Sequence, residues 1–336
     1  MTENIKPTII ADDNGYADHK LCFWKGDPGK SEIVELSFPS RAAMGSQAMN
    51  VEGDLTGVYE VNDSRWTVGK NVHDPENTRV HGYAISDLNC VLVNHALIHA
   101  GFGGKKVMVA TGLPYDDYYD EDGKKADFIE KVISSIGQEI KAFGEAEVAE
   151  IIENRIYPES TAAWVDFSVD STTGETTAEN EQGVAVVDIG GNTTDVTYLN
   201  GGNNRINKAR SGTREIGVLH IRDKLRSLIK KNYDIDEISD SQLDKCLRTK
   251  SLTLFGKDND VTDLVNKALN EVGHKVLNYV REKIGDGAQL DYIIFVGGGA
   301  EILRSVINEY PHAKIPERPQ FSNARGMLKY WTLVTG

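Results

Sequence analysis

Apolar positions along the chain follow two rhythms, short β-branched runs and longer stretches at helical spacing. Residues 8–11 and 21–24 are apolar runs on either side of Asp12, Asp13, Asn14 and Gly15, which predicts a hairpin. After the turn GDPG at 26–29, residues 33–38 predict another strand. Residues 58–61 and 66–68 predict a hairpin around Asn62, Asp63 and Ser64. Ile85, Leu88, Val91, Leu92 and Ala96 follow helical spacing, with Gly101, Gly103 and Gly104 as the stop. Residues 106–110 predict a strand ending in TGLP, and Phe128, Ile129, Val132, Ile133, Ile136 and Ile140 mark a helix. A strand over 146–156 then opens through YPES at 157–160 into a short helix over 161–167.

The polar run DSTTGETTAENEQ (170–182) predicts a solvated loop and a domain boundary. Beyond it, residues 184–187 and 193–199 form a second strand pair around Asp188, Gly190, Gly191 and Asn192. Ser211 and Gly212 are expected to start a helix with the face Val218, Ile221, Leu225, Leu228 and Ile229. Residues 234–260 show no regular period and read as an insertion. An apolar stripe from Leu264 to Ile284 predicts the longest helix. A buried strand at 292–296 then leads to Gly297, Gly298 and Gly299, and a helix-like run closes the chain. Each half opens with a strand–Gly turn–strand hairpin, which suggests a duplicated architecture.

With 336 residues there is room for two domains. Hydrophobic residues make up 40% and charged residues 26%, an ordinary globular composition. The 37 basic and 51 acidic residues leave a net charge of −14, which argues against direct nucleic-acid binding. The first residues lack a signal-peptide pattern, and no apolar run is long enough to cross a membrane, so no membrane role and a cytoplasmic location are expected. Cys22, Cys90 and Cys246 are too scattered for a metal cluster and fit a reducing compartment. His95 and His99 share a helical face without the Glu of a zincin motif, so they read as packing residues. The GKS at 29–31 lacks the leading glycine of a P-loop, since Trp24 stands there, and it reads as a turn.

The chemistry gathers in three loops that follow strands. Gly-rich bends bring backbone N–H groups together and can wrap a phosphate. An acidic residue beside such a nest suits a metal ion. An ordinary hairpin with a Gly turn is the other reading of each bend taken alone. Together, Asp13-Asn14-Gly15, Asp188-Ile189-Gly190-Gly191 and Gly297-Gly298-Gly299 describe a Mg-nucleotide held between two domains.

DNGYADHK at 13–20 has the D-x-G-x-x-x-x-K spacing of the first phosphate loop of the actin, heat-shock chaperone and sugar kinase superfamily. VVDIGGNTTDV resembles its second phosphate loop, and YIIFVGGGAEI its adenosine motif. TGLP, YDDYYD, YPES and NARGML further resemble the ParM/StbA plasmid-segregation proteins, bacterial actin-like ATPases that form filaments. The resemblance departs around 170–182 and 234–260.

The resemblance implies an α/β, actin-like two-domain fold, each domain a mixed sheet flanked by helices, with a nucleotide cleft between them. Domain I would span 1–182 plus about 318–336, and domain II 183–317. Asp13 and Asp188 would hold Mg²⁺ through its waters. Lys20 would neutralise phosphate charge. Backbone groups at Asn14, Gly15, Gly190, Gly191, Asn192 and Thr193 would cradle phosphate oxygens. Glu159 would activate or orient the attacking water, with Asp188 as the other catalytic residue. Gly297, Gly298 and Gly299 would border the adenosine, and Glu215 and Gly217 would reach the sugar or base. The implied function is an ATP (or GTP) hydrolase whose filaments separate plasmid copies through a DNA-binding adaptor of the ParR type. A small-molecule kinase of the same superfamily is the alternative.

Overall fold

The computed structural model describes residues 7–46, 57–69, 72–144 and 146–335. The chain divides into two compact units, Met1–Glu181 with Pro316–Gly336, and Gln182–Ile315.

The first unit is built on a five-stranded mixed sheet. β1 (Thr8–Asn14) pairs antiparallel with β2 (Asp18–Trp24), and β2 with β3 (Ile33–Pro39). A smaller sheet contains β4 (Val58–Val61) and β5 (Ser64–Val68). Their turn holds Asn62 and Asp63 at φ 49° and 59°, a conformation that short polar side chains tolerate. α1 (Asp87–Leu97) starts at Ser86, whose hydroxyl accepts the Asn89 N–H at 3.2 Å. β6 (Lys106–Leu113) lies parallel to β1. After α2 (Ala126–Ile136), β7 (Glu150–Pro158) lies parallel to β6, giving the order β7-β6-β1-β2-β3. α3 (Glu159–Ser168) follows without a gap, so Glu159 is the first helical residue.

Apolar side chains cover both faces of this sheet, as a parallel core requires. Ile10, Val107 and Val109 pack with Val93, Leu97, Val132 and Ile136, while Ala11 and Ala110 pack with Ala162, Met327 and Trp331. The C-terminal helix Ser322–Lys329 is further locked by Arg325, which grips Asp166 at 2.8–3.0 Å and Glu35 at 2.7 Å. α2 ends at Ile136 rather than reaching Ile140, which packs instead on the cluster around Tyr59 and Trp66.

The second unit repeats the plan. β8 (Gly183–Ile189), buried along its length, pairs antiparallel with β9 (Thr194–Asn200). β10 (Gly212–Arg214) extends the sheet beyond β9. Next come α4 (Val218–Tyr233), α5 (Asp240–Thr249), a hairpin of β11 (Ser251–Leu254) and β12 (Lys257–Asp260), and α6 (Thr262–Ile284). β13 (Tyr292–Val296) lies parallel to β8, and the sheet order is β10-β9-β8-β13 followed by Ala313–Lys314. Ala185, Val187, Phe295, Leu225 and Val276 share one core.

Two sequence expectations are corrected here. Ser211 and Gly212 do not start a helix: Gly212 pairs with Val196 at the sheet edge, and α4 begins only at Val218, where the apolar spacing begins. Residues 234–260 are not irregular. They hold α5, capped by Ser239 and anchored by Leu243 and Cys246, and the β11–β12 hairpin. So few buried apolar positions give little period to read.

In both units the first hairpin strand lies between its antiparallel partner and a parallel strand. β1 sits between β2 and β6, and β8 between β9 and β13. Each hairpin bend therefore lies beside the C-terminal end of a parallel strand, where open α/β sheets place their ligands.

Candidate functional site

In the first unit, β1 delivers Asp12, Asp13 and Asn14, all buried, to the bend. Asp13 is paired with Lys20 across the hairpin, and Lys20 Nζ lies 3.3 Å from Asp13 Oδ2 and 3.2 Å from Asp18 O. The Gly15 N–H donates to Asp13 O at 2.9 Å, so Gly15 contributes mainly room. A Cβ there would stand 3.0 Å from Asp18 O and 3.2 Å from Lys20 Nζ. The Asn14 side chain is committed to structure. Its Nδ2 donates to Asn89 Oδ1 on α1 at 3.2 Å, and its Oδ1 accepts the Gly112 N–H at 3.2 Å. Gly112 in turn lies beneath Glu159, whose Cγ and Oε1 would meet a Cβ there at 2.7 and 3.0 Å. Asp13, Asn14, Gly15, Lys20 and Glu159 thus gather at the C-terminal ends of β1, β6 and β7.

In the second unit, β8 delivers buried Asp188 to the bend, and the Gly190 N–H closes it on Thr193 O at 2.9 Å. The carbonyls of Gly190 and Gly191 accept the Val218 and Leu219 N–H groups at 3.0 and 2.8 Å, so this loop caps α4. The peptide bonds are trans, so the N–H groups of Gly191 and Asn192 point the opposite way, away from α4. Successive N–H groups of a glycine-rich turn that face away from the helix are able to receive an anion. Gly297, at φ 79°, lies against Asp188: a Cβ there would collide with Asp188 Oδ1 and stand 2.5 Å from Ile189 O. One at Gly299 would collide with the Ile189 side chain, whereas Gly298 faces open space. Asp188, Gly190, Gly191, Asn192, Thr193, Gly297 and Gly299 therefore form one group, with Gly217 at the cap of α4.

Glu215 leads into a cleft of about 460 Å³ in this unit, lined also by Ile216, His220, Lys224, Glu271 and Lys275. Lys224 and Glu271 pair at 2.5 Å across it. The sequence does not signal this partnership, because Glu271 and Lys275 lie on the polar side of α6. Also missed is a buried relay beneath the first bend. His19 joins Asp12 Oδ2 at 2.9 Å through Nδ1 and Tyr83 Oη at 3.2 Å through Nε2. Burial pushes the Asp12 carboxyl up against the pull of His19. An acid inside an apolar strand was the one signal available.

The His95 and His99 rings lie 4.2 Å apart between centroids and are tilted by 48°, and Tyr59 Oη lies 2.9 Å from His95 Nδ1. Among the described residues no three His, Cys, Asp or Glu side chains form a ready metal cluster, and the three cysteines are free and buried. No described helix is long and apolar enough to cross a membrane.

Residues 8–170 match the family model of the plasmid segregation protein ParM, N-terminal, and residues 186–309 that of the archaeal actin homologue MreB-like, C-terminal. No curated protein matches the sequence. Among solved structures, an archaeal actin homologue superposes with a TM-score of 0.77 at 19% identity, covering 96% of this chain and 99% of its own. A subunit of a 15-stranded ParM filament from Clostridium botulinum gives 0.74 at 17%, covering 97% and 99%. ParM of Bacillus thuringiensis with ADP gives 0.68 at 16%, covering 98% and 99%. The fold is actin-like, and the chain is similar to the ParM-type actin-like proteins, with a ParM model matching the first unit and an archaeal actin-homologue model the second.

Proposed function

We propose that the chain binds and hydrolyses ATP (or GTP), assembles with copies of itself into a filament, and separates plasmid DNA through an adaptor of the ParR type. The observation that carries this reading is the repeated hairpin. In each unit a buried aspartate, Asp13 or Asp188, ends a strand beside a glycine bend and a parallel neighbour. Each bend sets a carboxylate beside a backbone loop, which suits the metal and the phosphates of a nucleotide.

The residues fit a Mg-nucleotide. Asp13 and Asp188 would hold Mg²⁺ through water, and the ion would neutralise charge on the phosphates. Lys20 shields β- and γ-phosphate oxygens, and the N–H groups of Gly191 and Asn192 receive others. Glu159, at the start of α3, accepts a proton from the attacking water and orients it. The nucleoside lies over Gly298 and Gly299 and extends its base toward the cleft by Glu215, where Lys224 and Glu271 supply polar partners. Assembly is supported by the ParM filament among the similar structures, and nucleotide use by the ADP complexes of an archaeal homologue and a ParM. The acidic chain suits an adaptor-mediated contact with DNA better than a direct one.

Sedimentation with Mg-ATP, Mg-GTP, Mg-ADP or no nucleotide tests the reading. Pelleting at tens of micromolar only with a triphosphate is the expected result. A protein that stays monomeric in all four overturns the filament function.

A further inference from the structure

The bend between β1 and β2 is held from outside at three consecutive carbonyls. Ser40 Oγ donates to Gly15 O at 2.7 Å, Thr78 Oγ1 to Tyr16 O at 2.7 Å, and the Ser40 N–H to Ala17 O at 2.9 Å. Ser40 and Thr78 are buried, and neither belongs to the bend. Ser40 follows β3, just beyond the Asp18–Pro39 pair, and Thr78 lies ahead of α1. Their segments are pinned to each other, with the Glu76 N–H on Ala42 O at 2.8 Å and Arg41 Nη2 on Val72 O at 3.1 Å. Tyr83 grips the same hairpin through side chains. Its ring lies 5.2 Å from that of Tyr16, and its hydroxyl 3.2 Å from His19 Nε2.

Given the nucleotide binding proposed above, on which this rests, we infer that the Ser40 and Thr78 hydroxyls are positioning groups that hold the first bend in shape for phosphate. Across a trans peptide the N–H faces away from the preceding carbonyl. The carbonyls of Gly15, Tyr16 and Ala17 are all drawn towards Ser40 and Thr78, so the N–H groups of Tyr16, Ala17 and Asp18 face the other side. A run of donors on that side suits phosphate oxygens. A flipped peptide would instead aim a carbonyl oxygen at the anion. The flip is easiest after Gly15, which has no Cβ to oppose it, and the Ser40 hydroxyl sits on that carbonyl. Holding the donor side in place before the ligand arrives lowers the cost of binding. The second unit performs the same task differently. There the carbonyls of Gly190 and Gly191 are taken by the backbone N–H groups of Val218 and Leu219, which no side-chain substitution removes. In the first unit two hydroxyls do it, and each can be deleted.

Three variants test this beside wild type. Thr78→Val removes one hydroxyl and keeps the shape, Thr78→Ser keeps the hydroxyl and loses a methyl, and Ser40→Ala removes the other hydroxyl. ADP and ATP affinities of Thr78→Val and Ser40→Ala are expected to fall by about tenfold, the scale of one lost hydrogen bond. Thr78→Ser should stay within about twofold of wild type. Adenosine, which carries no phosphate, should bind all four proteins alike in a competition titration. The Thr78 pair decides alone if Ser40→Ala does not fold. An unchanged ADP affinity in a folded hydroxyl-free variant overturns the inference and leaves nucleotide binding standing. So does a loss shared by adenosine, or one as large in Thr78→Ser as in Thr78→Val, since either assigns these residues to packing alone. Wild type that binds neither ADP nor ATP overturns the nucleotide function itself.

Discussion

Gly112 and Glu159 occupy each other's space: a Cβ on Gly112 would come within 2.7 Å of Glu159 Cγ and 3.0 Å of Oε1. Tyr157 is the partner of Gly112 in the β7–β6 register, so neither backbone can retreat without breaking the sheet. Gly112→Ala is therefore expected to swing the Glu159 carboxylate away from its place while leaving Asp13 and Lys20 untouched. Phosphate release should fall by about 10²-fold or more, the usual worth of a positioned general base, with Mg-ATP affinity within a few fold of wild type. Single-turnover hydrolysis and a binding titration check the two halves; an unchanged rate removes Glu159 from the chemistry.

Asn14 joins three elements through one side chain, with Asn89 on α1 and Gly112 on β6 as partners. Asn14→Ala leaves both partners unpaired in a buried setting. The expected loss is about 1–3 kcal/mol per orphaned group at most, read as a lower midpoint in urea unfolding, together with weaker nucleotide binding. Asn14→Ala with unchanged stability contradicts the tethering role.

The glycine triplet separates into two kinds of residue. Gly297→Ala forces a side chain onto Asp188 at positive φ and should cost several kcal/mol, about the scale of an overpacked core plus backbone strain. Gly298→Ala meets open space and should melt as wild type does. If the nucleoside lies over Gly298, that stable variant should still bind Mg-ATP more weakly. Equal affinity removes Gly298 from the binding surface.

His95 sets a pH dependence. Burial, with the adjacent His99 and nearby His19 adding repulsion, lowers its pKa from 6.5 to about 3, and Tyr59 is bonded to the neutral ring. The unfolded chain takes up this proton below about pH 6.5 while the folded chain does not. Stability is therefore full above pH 6.5 and falls as pH drops towards 3, by about 2 kcal/mol at pH 5 from this group. His95→Gln is expected to flatten the decline of Tm between pH 6.5 and 5. An unchanged slope assigns the acid sensitivity elsewhere.

The two hairpins were legible because Asp, Asn and Gly interrupt β-branched runs, a local signal that needs no tertiary context. The long helix α6 was equally plain, since Val265, Val272, Val276 and Val280 recur at one face. What stayed hidden depends on register between distant segments. Gly212 reads as a helix start until β9 captures it as an edge strand. Tyr83 reaches His19, and Glu271 reaches Lys224, only after strands and helices have packed. Polar residues on outward helix faces carry no periodic mark of the neighbour they will meet.

Nucleotide-driven assembly timed by hydrolysis is tested most directly by following light scattering and phosphate release together after adding Mg-ATP, for wild type and Glu159→Ala. Wild-type scattering should rise and then decay as phosphate appears. Glu159→Ala should rise to a similar height and persist, with phosphate release slowed by about 10²-fold or more. Scattering that never rises in wild type, or that decays in Glu159→Ala at the wild-type rate, contradicts the account.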